Sequence, residues 1–406
     1  MVERRVLPNG IIVLSEKLDS VRSASVGIWI RNGSRYESAQ ESGVSHFIEH
    51  MLFKGTKNRN SSQIAEQMDA IGGQFNAFTT KECTSFYFRA LDTMLERGID
   101  VLTDILENSI FPEGEFETER GVINEEIDMY EDTPDELVVE NLFSAVYPDS
   151  PLGRPIIGTH ESLAAMDTAF LRQYQYTHYT GSNIVAAVSG NFSPDTIDYL
   201  CTALEQVHAA PAPEFQPAQY HQGEISRAKP IEQVHICLGF PALSLTDPRR
   251  YALAIFSNIL GGGMSSRLFR KIREESGLCY SVYSFNASHL DTGVSGIYLA
   301  TNPSTYHRAM EMALSETRRL LEEGPQAEEF ERTREQIKAN VLMSLESTLS
   351  RMNSIARAQL LQGRILSADE VVAAYDAVDI DACMEAGRIG FDMAQVSRSL
   401  VGNIQQ

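Results

Sequence analysis

The chain has 406 residues, 43% hydrophobic and 22% charged, the composition of a globular protein long enough for two or three domains. Asp plus Glu total 55 against 34 Lys plus Arg, and the net charge of −21 sets aside nucleic acid and anionic membrane as partners, because phosphates would be repelled over most of the surface. No apolar run approaches a membrane span, the stretch Met1 to Gly10 has no apolar h-region, and the five scattered cysteines form no CxxC pair, so reduced thiols and a cytoplasmic location are expected.

Residues 5–7 and 11–15 flank the turn formers Pro8-Asn9-Gly10 and predict a hairpin, and 23–30 alternates as a further strand. A helix is expected from Ser42-Gly43 to about Phe53, and a second from the Ser61-Ser62 cap to Gly72-Gly73. Residues 74–79 and 84–90, rich in Phe, Thr and Tyr, read as paired strands. Amphipathic helices follow at about 92–109, 113–131 and 134–146, then a loop at 151–155, a helix at 168–177, the apolar strand 184–189 and a helix at 194–207.

Residues 209–219 are dense in Pro and Ala without a period, as a linker is. The earlier order then returns: a strand at 233–240, helices at 248–260 and 264–275, strands at 279–286 and 293–300, and long helices. Glu115-Phe116-Glu117 with Arg120 and Ile123 is echoed by Glu329-Phe330-Glu331 with Arg334 and Ile337. The expected fold class is therefore α+β, two homologous α/β repeats that are each a mainly antiparallel sheet backed by helices. The expected domains are 1–210, a linker at 211–230, and 231–406.

His46-Phe47-Ile48-Glu49-His50 is an H-x-x-E-H motif inside the first helix. At about 100° per residue His46 and His50 lie about 40° apart on one face with Glu49 beside them, so three polar groups converge. Two imidazoles and a carboxylate from elsewhere would hold zinc and leave a fourth position for water, and Glu49 could take that water's proton. Val44, Phe47, Ile48, Met51 and Leu52 require the helix to be largely buried, where imidazoles without a partner are costly. For the third ligand the helix at 113–131 offers Glu119, Glu125 and Glu126; Glu119 and Glu126 share a face, Glu125 is turned about 100° away, and spacing does not choose further. One of the pair could bind metal while the other orients a ligating histidine. The remaining histidines, His160, His178, His208, His221, His235, His289 and His307, have no ligand spacing and read as surface or loop residues. The triple glycine 261–263 lacks the context of a phosphate loop and reads as a turn.

Several separated runs resemble one family in the right order: His46 to Thr56 (HFIEHMLFKGT), Gly72 to Thr79 (GGQFNAFT), Glu119 to Glu126, and Gly261 to Phe269 with Ile272-Arg273-Glu274. The chain resembles the pitrilysin, insulysin and mitochondrial processing peptidase family of inverted-motif zinc metallopeptidases, in a short two-repeat form. The resemblance implies one Zn2+ per chain on His46, His50 and a Glu 76 residues beyond His50, which is Glu126. It implies Glu49 as general base and Glu119 as a supporting carboxylate. Asn76 and Ala77, with Phe75 beside them, match the edge strand to which substrate backbone is added. Arg273 and Tyr280, seven apart in the second half, match a pair suited to the substrate carbonyl and its oxyanion. The second half has no His or Glu between Asp247 and Gly262, and Asn340 stands where Glu126 maps, so it holds no such metal.

The resemblance further implies an endopeptidase or oligopeptidase for unfolded peptides, basic ones being favoured by the net charge, and a homodimer whose subunits each form half of a clamshell chamber. The alternative is a catalytically silent structural subunit of a processing complex with the same fold, against which the intact His46, Glu49, His50 and Glu126 speak. A hydrolase acting on non-peptide amides or esters is a further alternative, made less attractive by the edge-strand run.

Overall fold

A computed structural model describes residues 2–404. The chain forms two compact units: residues up to Asp128, Arg154–Phe215 and Ser344–Ile365 make the first, and Met129–Gly153, Gln216–Met343 and Leu366 onward make the second. Each holds one mainly antiparallel sheet backed by helices, with its own apolar core. Among the described residues no helix is long and apolar enough to cross a membrane.

In chain order the first half supplies β1 (Val2–Val6), β2 (Ile12–Lys17), β3 (Ser23–Ile30), α1 (Val44–Met51), α2 (Ser61–Ala70), β4 (Gln74–Thr79), β5 (Thr84–Leu91), α3 (Leu95–Asn108) and α4 (Glu113–Glu131). It continues with α5 (Pro134–Val146), α6 (His160–Ala164), α7 (Thr168–His178), β6 (Ile184–Gly190) and α8 (Pro194–Leu204). The first sheet has the order β1-β2-β6-β3-β5-β4, and only the β2–β6 pairing is parallel. Strand β4 is an edge, bonded to β5 on one side alone.

The second half supplies β7 (Glu224–Ala228), β8 (Val234–Pro241), α9 (Arg250–Gly261), β9 (Cys279–Ser288), β10 (Gly293–Thr301), α10 (Tyr306–Glu323) and α11 (Ala327–Ser344). After these come α12 (Thr348–Gln362), α13 (Ala368–Asp376), α14 (Ile380–Gly390) and β11 (Ser397–Gly402). The second sheet has the order β7-β11-β8-β10-β9.

Each half of the sequence lends one helix to the unit made chiefly by the other. Helix α12 lies on β3 and β6 in the first unit, and α5 lies on β8 and β11 in the second. The reason is visible on β3, which is buried on both faces. Val26, Ile28 and Ile30 enter the core, while Ser25 bonds Thr348 at 3.0 Å on the other face. Gly27 is small because a Cβ there would come within 2.6 Å of Met352 Sδ, and Arg351 pairs with Glu16 at 2.7 Å. An apolar sheet face needs a cover, and the covering helix is distant in sequence.

In four places the structure adds to the expected order or differs from it. Residues 224–228, inside the expected linker, form β7 at the sheet edge; its residues are mostly exposed and only its parallel pairing with β11 defines it. Strand β11 itself lies between β7 and β8 with Ser397 and Ser399 buried, a polar sequence that periodicity does not flag. The helix expected at 264–275 starts only after a turn and bend at 264–266 and runs as a π-helix over Phe269–Glu275. The linker is also anchored at Phe215, whose ring lies 3.9 Å from the buried Arg35 guanidinium.

Candidate metal centre

Helix α1 is held at its start by a residue outside it. Gly43 adopts φ +93°, and a Cβ there would meet Ile157 O and Gly158 Cα at 2.8 Å, so the chain enters the helix by a route only glycine tolerates. The orphan N–H groups of Gly43 and Ser45 donate to the Glu37 carboxylate at 2.8 and 2.9 Å. Burial pushes Glu37 up to about 7, opposed by these hydrogen bonds and by nearby Arg154. Val44, Phe47, Ile48 and Met51 are buried, and Phe47 stacks on Phe116 of α4 with ring centroids 4.6 Å apart. That stack sets α4 beside the remaining face of α1, where His46, Glu49 and His50 are half-buried.

Glu126 Oε2 lies 3.8 Å from His46 Nε2 and 3.8 Å from His50 Nε2, and one ligand atom from each residue falls within 4.8 Å of the others. A tetrahedral ion about 2.0–2.1 Å from each ligand needs them roughly 3.4 Å apart, so small side-chain adjustments suffice. Two imidazole nitrogens and one carboxylate oxygen fit a borderline cation with an open fourth position. Glu119 is not in this group: its Oε2 faces His50 Nδ1 at 3.1 Å and its Oε1 faces Lys54 Nζ at 2.6 Å. With Nδ1–H donating to Glu119, the Nε2 lone pair of His50 is left for a metal. Glu125 is exposed.

Burial, with His50 beside it, drives His46 down to about 3, so it is a neutral imidazole at neutral pH. Glu49 accepts a hydrogen bond from Thr79 Oγ1 at 2.5 Å. Burial pushes the Glu49 carboxyl above its ordinary value, the Thr79 hydroxyl and His50 pull it back, and Glu126 pushes it further up. A carboxylate so placed is a better proton acceptor than an exposed one.

Thr79 ends the edge strand β4, so one strand carries both the partner of Glu49 and the run Phe75-Asn76-Ala77. Asn76 is exposed, and its side-chain carbonyl accepts the N–H of Ala77 at 2.8 Å. Phe75 is turned the other way and stacks on Phe88 at 4.9 Å. Arg273 and Tyr280 belong to the second unit and meet there, the guanidinium lying 4.5 Å from the Tyr280 ring and 4.7 Å from that of Phe269. Where β9 pairs with β10, Ser281 faces Ala300 and Cys279 faces Thr301, so Tyr280 is the extra residue of a bulge. It is 76% exposed.

Two histidines depart from the expected surface or loop setting: His235 lies within β8 with Nδ1 2.9 Å from Tyr298 Oη, and His178 is half-buried at the end of α7 with its ring stacked 3.8 Å from that of Tyr174. His289 is in a loop as expected, but is buried with its ring 6.0 Å from Phe143. Thr79, Lys54 and Glu37 join the site through contacts to Glu49, Glu119 and the start of α1. Lys54 is four residues beyond His50, a helical spacing that could have drawn attention to it; Thr79 and Glu37 act across chain reversals that no period reveals.

Two repeats of sheet and helices, with H-x-x-E-H on a buried helix and a glutamate from a second helix closing a three-ligand group, define an inverzincin-type protein. The chain belongs to peptidase family M16: the family described as insulinase (peptidase family M16) matches residues 12–160, and the peptidase M16 inactive domain matches 166–337. "Uncharacterized zinc protease YmxG" of Bacillus subtilis is 40% identical over 382 residues, 94% of this chain and 93% of that protein. "Uncharacterized zinc protease SCO5738" of Streptomyces coelicolor is 37% identical, covering 99% of this chain and 87% of its own length. In solved structures the same fold occurs in a Helicobacter pylori protease (TM-score 0.93, 20% identity, 99% of each chain). It occurs again in a peptidase M16 inactive domain from Pseudomonas fluorescens (TM-score 0.93, 17% identity, 100% of this chain and 99% of that one).

Proposed function

We propose that the protein is a zinc metallopeptidase that hydrolyses unfolded peptides. The observation that carries this reading is the convergence of His46 Nε2, His50 Nε2 and a Glu126 oxygen beside Glu49. The zinc protease names of the relatives support it. His46, His50 and Glu126 would hold one zinc per chain, and the chemistry zinc supplies when bound is Lewis acidity toward water and a peptide carbonyl.

The chain's own groups do the rest. Glu49 takes up a proton from the attacking water on its free carboxylate oxygen, the other being held by Thr79, and returns a proton to the leaving amine. The open edge of β4 accepts the substrate backbone as a further strand, with Asn76 and Ala77 at the point of addition, which selects extended, unfolded segments. Arg273 and Tyr280 donate to the carbonyl oxygen as charge develops on it, from the same chain or from the other subunit of a homodimer. Two subunits enclosing a chamber would exclude folded proteins. The acidic surface favours basic peptides, and cytoplasmic action fits the cysteine pattern.

The test is zinc analysis of the purified protein with cleavage of an unstructured peptide before and after chelation. Near-stoichiometric zinc and cleavage that chelator abolishes and zinc restores are expected. Bound zinc without cleavage would point to a silent subunit, and absence of zinc affinity would sink the reading. A panel of small amides and esters separates a peptidase from a hydrolase of non-peptide substrates.

A further inference from the structure

We infer that Lys54 is a positioning residue for metal binding, acting through Glu119 on His50. The backbone brings it there. Helix α1 ends at Met51, and the chain continues in turns, with Phe53 N–H donating to His50 O at 3.3 Å and Lys54 N–H to Met51 O at 3.1 Å. Lys54 therefore stays on the side of His50, four residues on, at the helix C-terminus where a cation is favoured.

Its ammonium lies 2.6 Å from Glu119 Oε1, and the second oxygen of the same carboxylate lies 3.1 Å from His50 Nδ1. One carboxylate thus bridges a fixed charge and an imidazole. The Glu119 side chain is only 6% exposed and that of Lys54 28%, so neither has full hydration to fall back on. Without the ammonium, Glu119 would be a buried carboxylate whose remaining partner is His50, free to rotate or to seek other donors. With it, the carboxylate plane is held at both ends, Nδ1–H of His50 points at Oε2, and Nε2 is left aimed toward Glu126.

His46 sharpens the point. Its Nδ1 is buried and has no hydrogen-bond partner among the described residues. Of the two imidazoles, His50 alone is oriented by a hydrogen bond to its outer nitrogen. The Lys54–Glu119 pair is then the fixed point from which the three ligands are assembled, and its loss should weaken metal binding before it affects folding.

The inference rests on the zinc reading above, and the experiment separates the two. Zinc affinity of the full chain is measured by competition with a chromogenic chelator for wild type, Lys54→Met, Lys54→Arg, Glu119→Gln and the Lys54→Met/Glu119→Gln double variant. Thermal unfolding of the zinc-free proteins reports on the fold. Lys54→Met should bind zinc about 10-fold or more weakly, in the range of about 10–100-fold for loss of a supporting shell, with zinc-free stability nearly unchanged. Lys54→Arg should recover most of the affinity, and Lys54→Met should cost nothing further once Glu119 is Gln. Wild-type affinity in Lys54→Met, or losses that multiply in the double variant, would overturn the role of Lys54 and leave the zinc reading intact. A wild type that binds no zinc overturns the zinc reading itself. If Lys54→Met fails to fold, Lys54→Gln, which keeps length and a donor but no charge, takes its place under the same outcomes.

Discussion

Helices α4 and α11 show what the two units share and where they part. On α4, Phe116 is buried under Arg120, whose guanidinium lies 5.0 Å from the ring and pairs with Glu117. On α11, Phe330 is buried under Arg334 at 5.5 Å, which pairs with Glu331. Glu119 and Glu126 of the first helix correspond to Thr333 and Asn340 of the second, and α9 has neither His nor Glu. The second unit still has its own sheet and core. The shared apolar and cation–π contacts are therefore enough for the framework. The imidazoles and carboxylates packed together in the first unit add desolvation cost that the framework does not require, which is the physical reason to read them as a ligand set.

The largest test of that contrast is Glu49→Gln. Turnover should fall about 10³-fold or more while zinc content, measured by metal analysis, stays at wild-type level. Retained peptidase activity would remove the functional distinction between the units.

Next are the groups the second unit would contribute. Arg273→Ala and Tyr280→Phe should each lower kcat by about 10²-fold or more without loss of zinc. Mixing Glu49→Gln protein with Arg273→Ala protein asks whether the pair serves the same chain. Recovered activity would place it across a dimer; none, with subunit exchange shown independently, would place it within one chain.

Smaller is Thr79→Val. The Thr79 hydroxyl stabilises the charged form of Glu49, so its removal should raise the carboxyl's pKa. The acid limb of the kcat/KM profile should move to higher pH, with a loss of only a few-fold at neutral pH. An unmoved limb would mean that this hydrogen bond does not bear on the base.

The smallest measures the cost of a buried carboxylate in the first unit away from the cluster. Burial, with Asp104 adding, pushes Glu107 of α3 up to about 7, and its Oε1 is buried without a hydrogen-bond partner among the described residues. The folded state binds this proton more tightly than the unfolded one, so wild-type stability should decline as pH rises from about 4.5 to about 7. Glu107→Gln should lack that decline and melt about 2–4 °C above wild type at pH 8, with no advantage at pH 4. Parallel melting curves at both pH values would show that burial there is inexpensive.

The sequence by itself determined what depends on local periodicity. The spacing of His46, Glu49 and His50 puts them on one helix face because an α-helix repeats every 3.6 residues, and the same period puts Glu119 and Glu126 on a shared face. The repeated Phe/Arg pattern on α4 and α11 and the strand-helix order of two halves were likewise legible. Whatever depends on contacts distant in sequence was decided only by the tertiary structure. Packing of Phe47 on Phe116 turns Glu126 toward both imidazoles and Glu119 toward His50 Nδ1 and Lys54, a choice that spacing left open. The edge strand brings Thr79 to Glu49, and the bulge in β9 turns Tyr280 outward. Helices α5 and α12 cross to the sheets they cover because a sheet's second apolar face can be buried by any amphipathic helix within reach, and a one-dimensional pattern records that a helix is amphipathic without recording which face it covers.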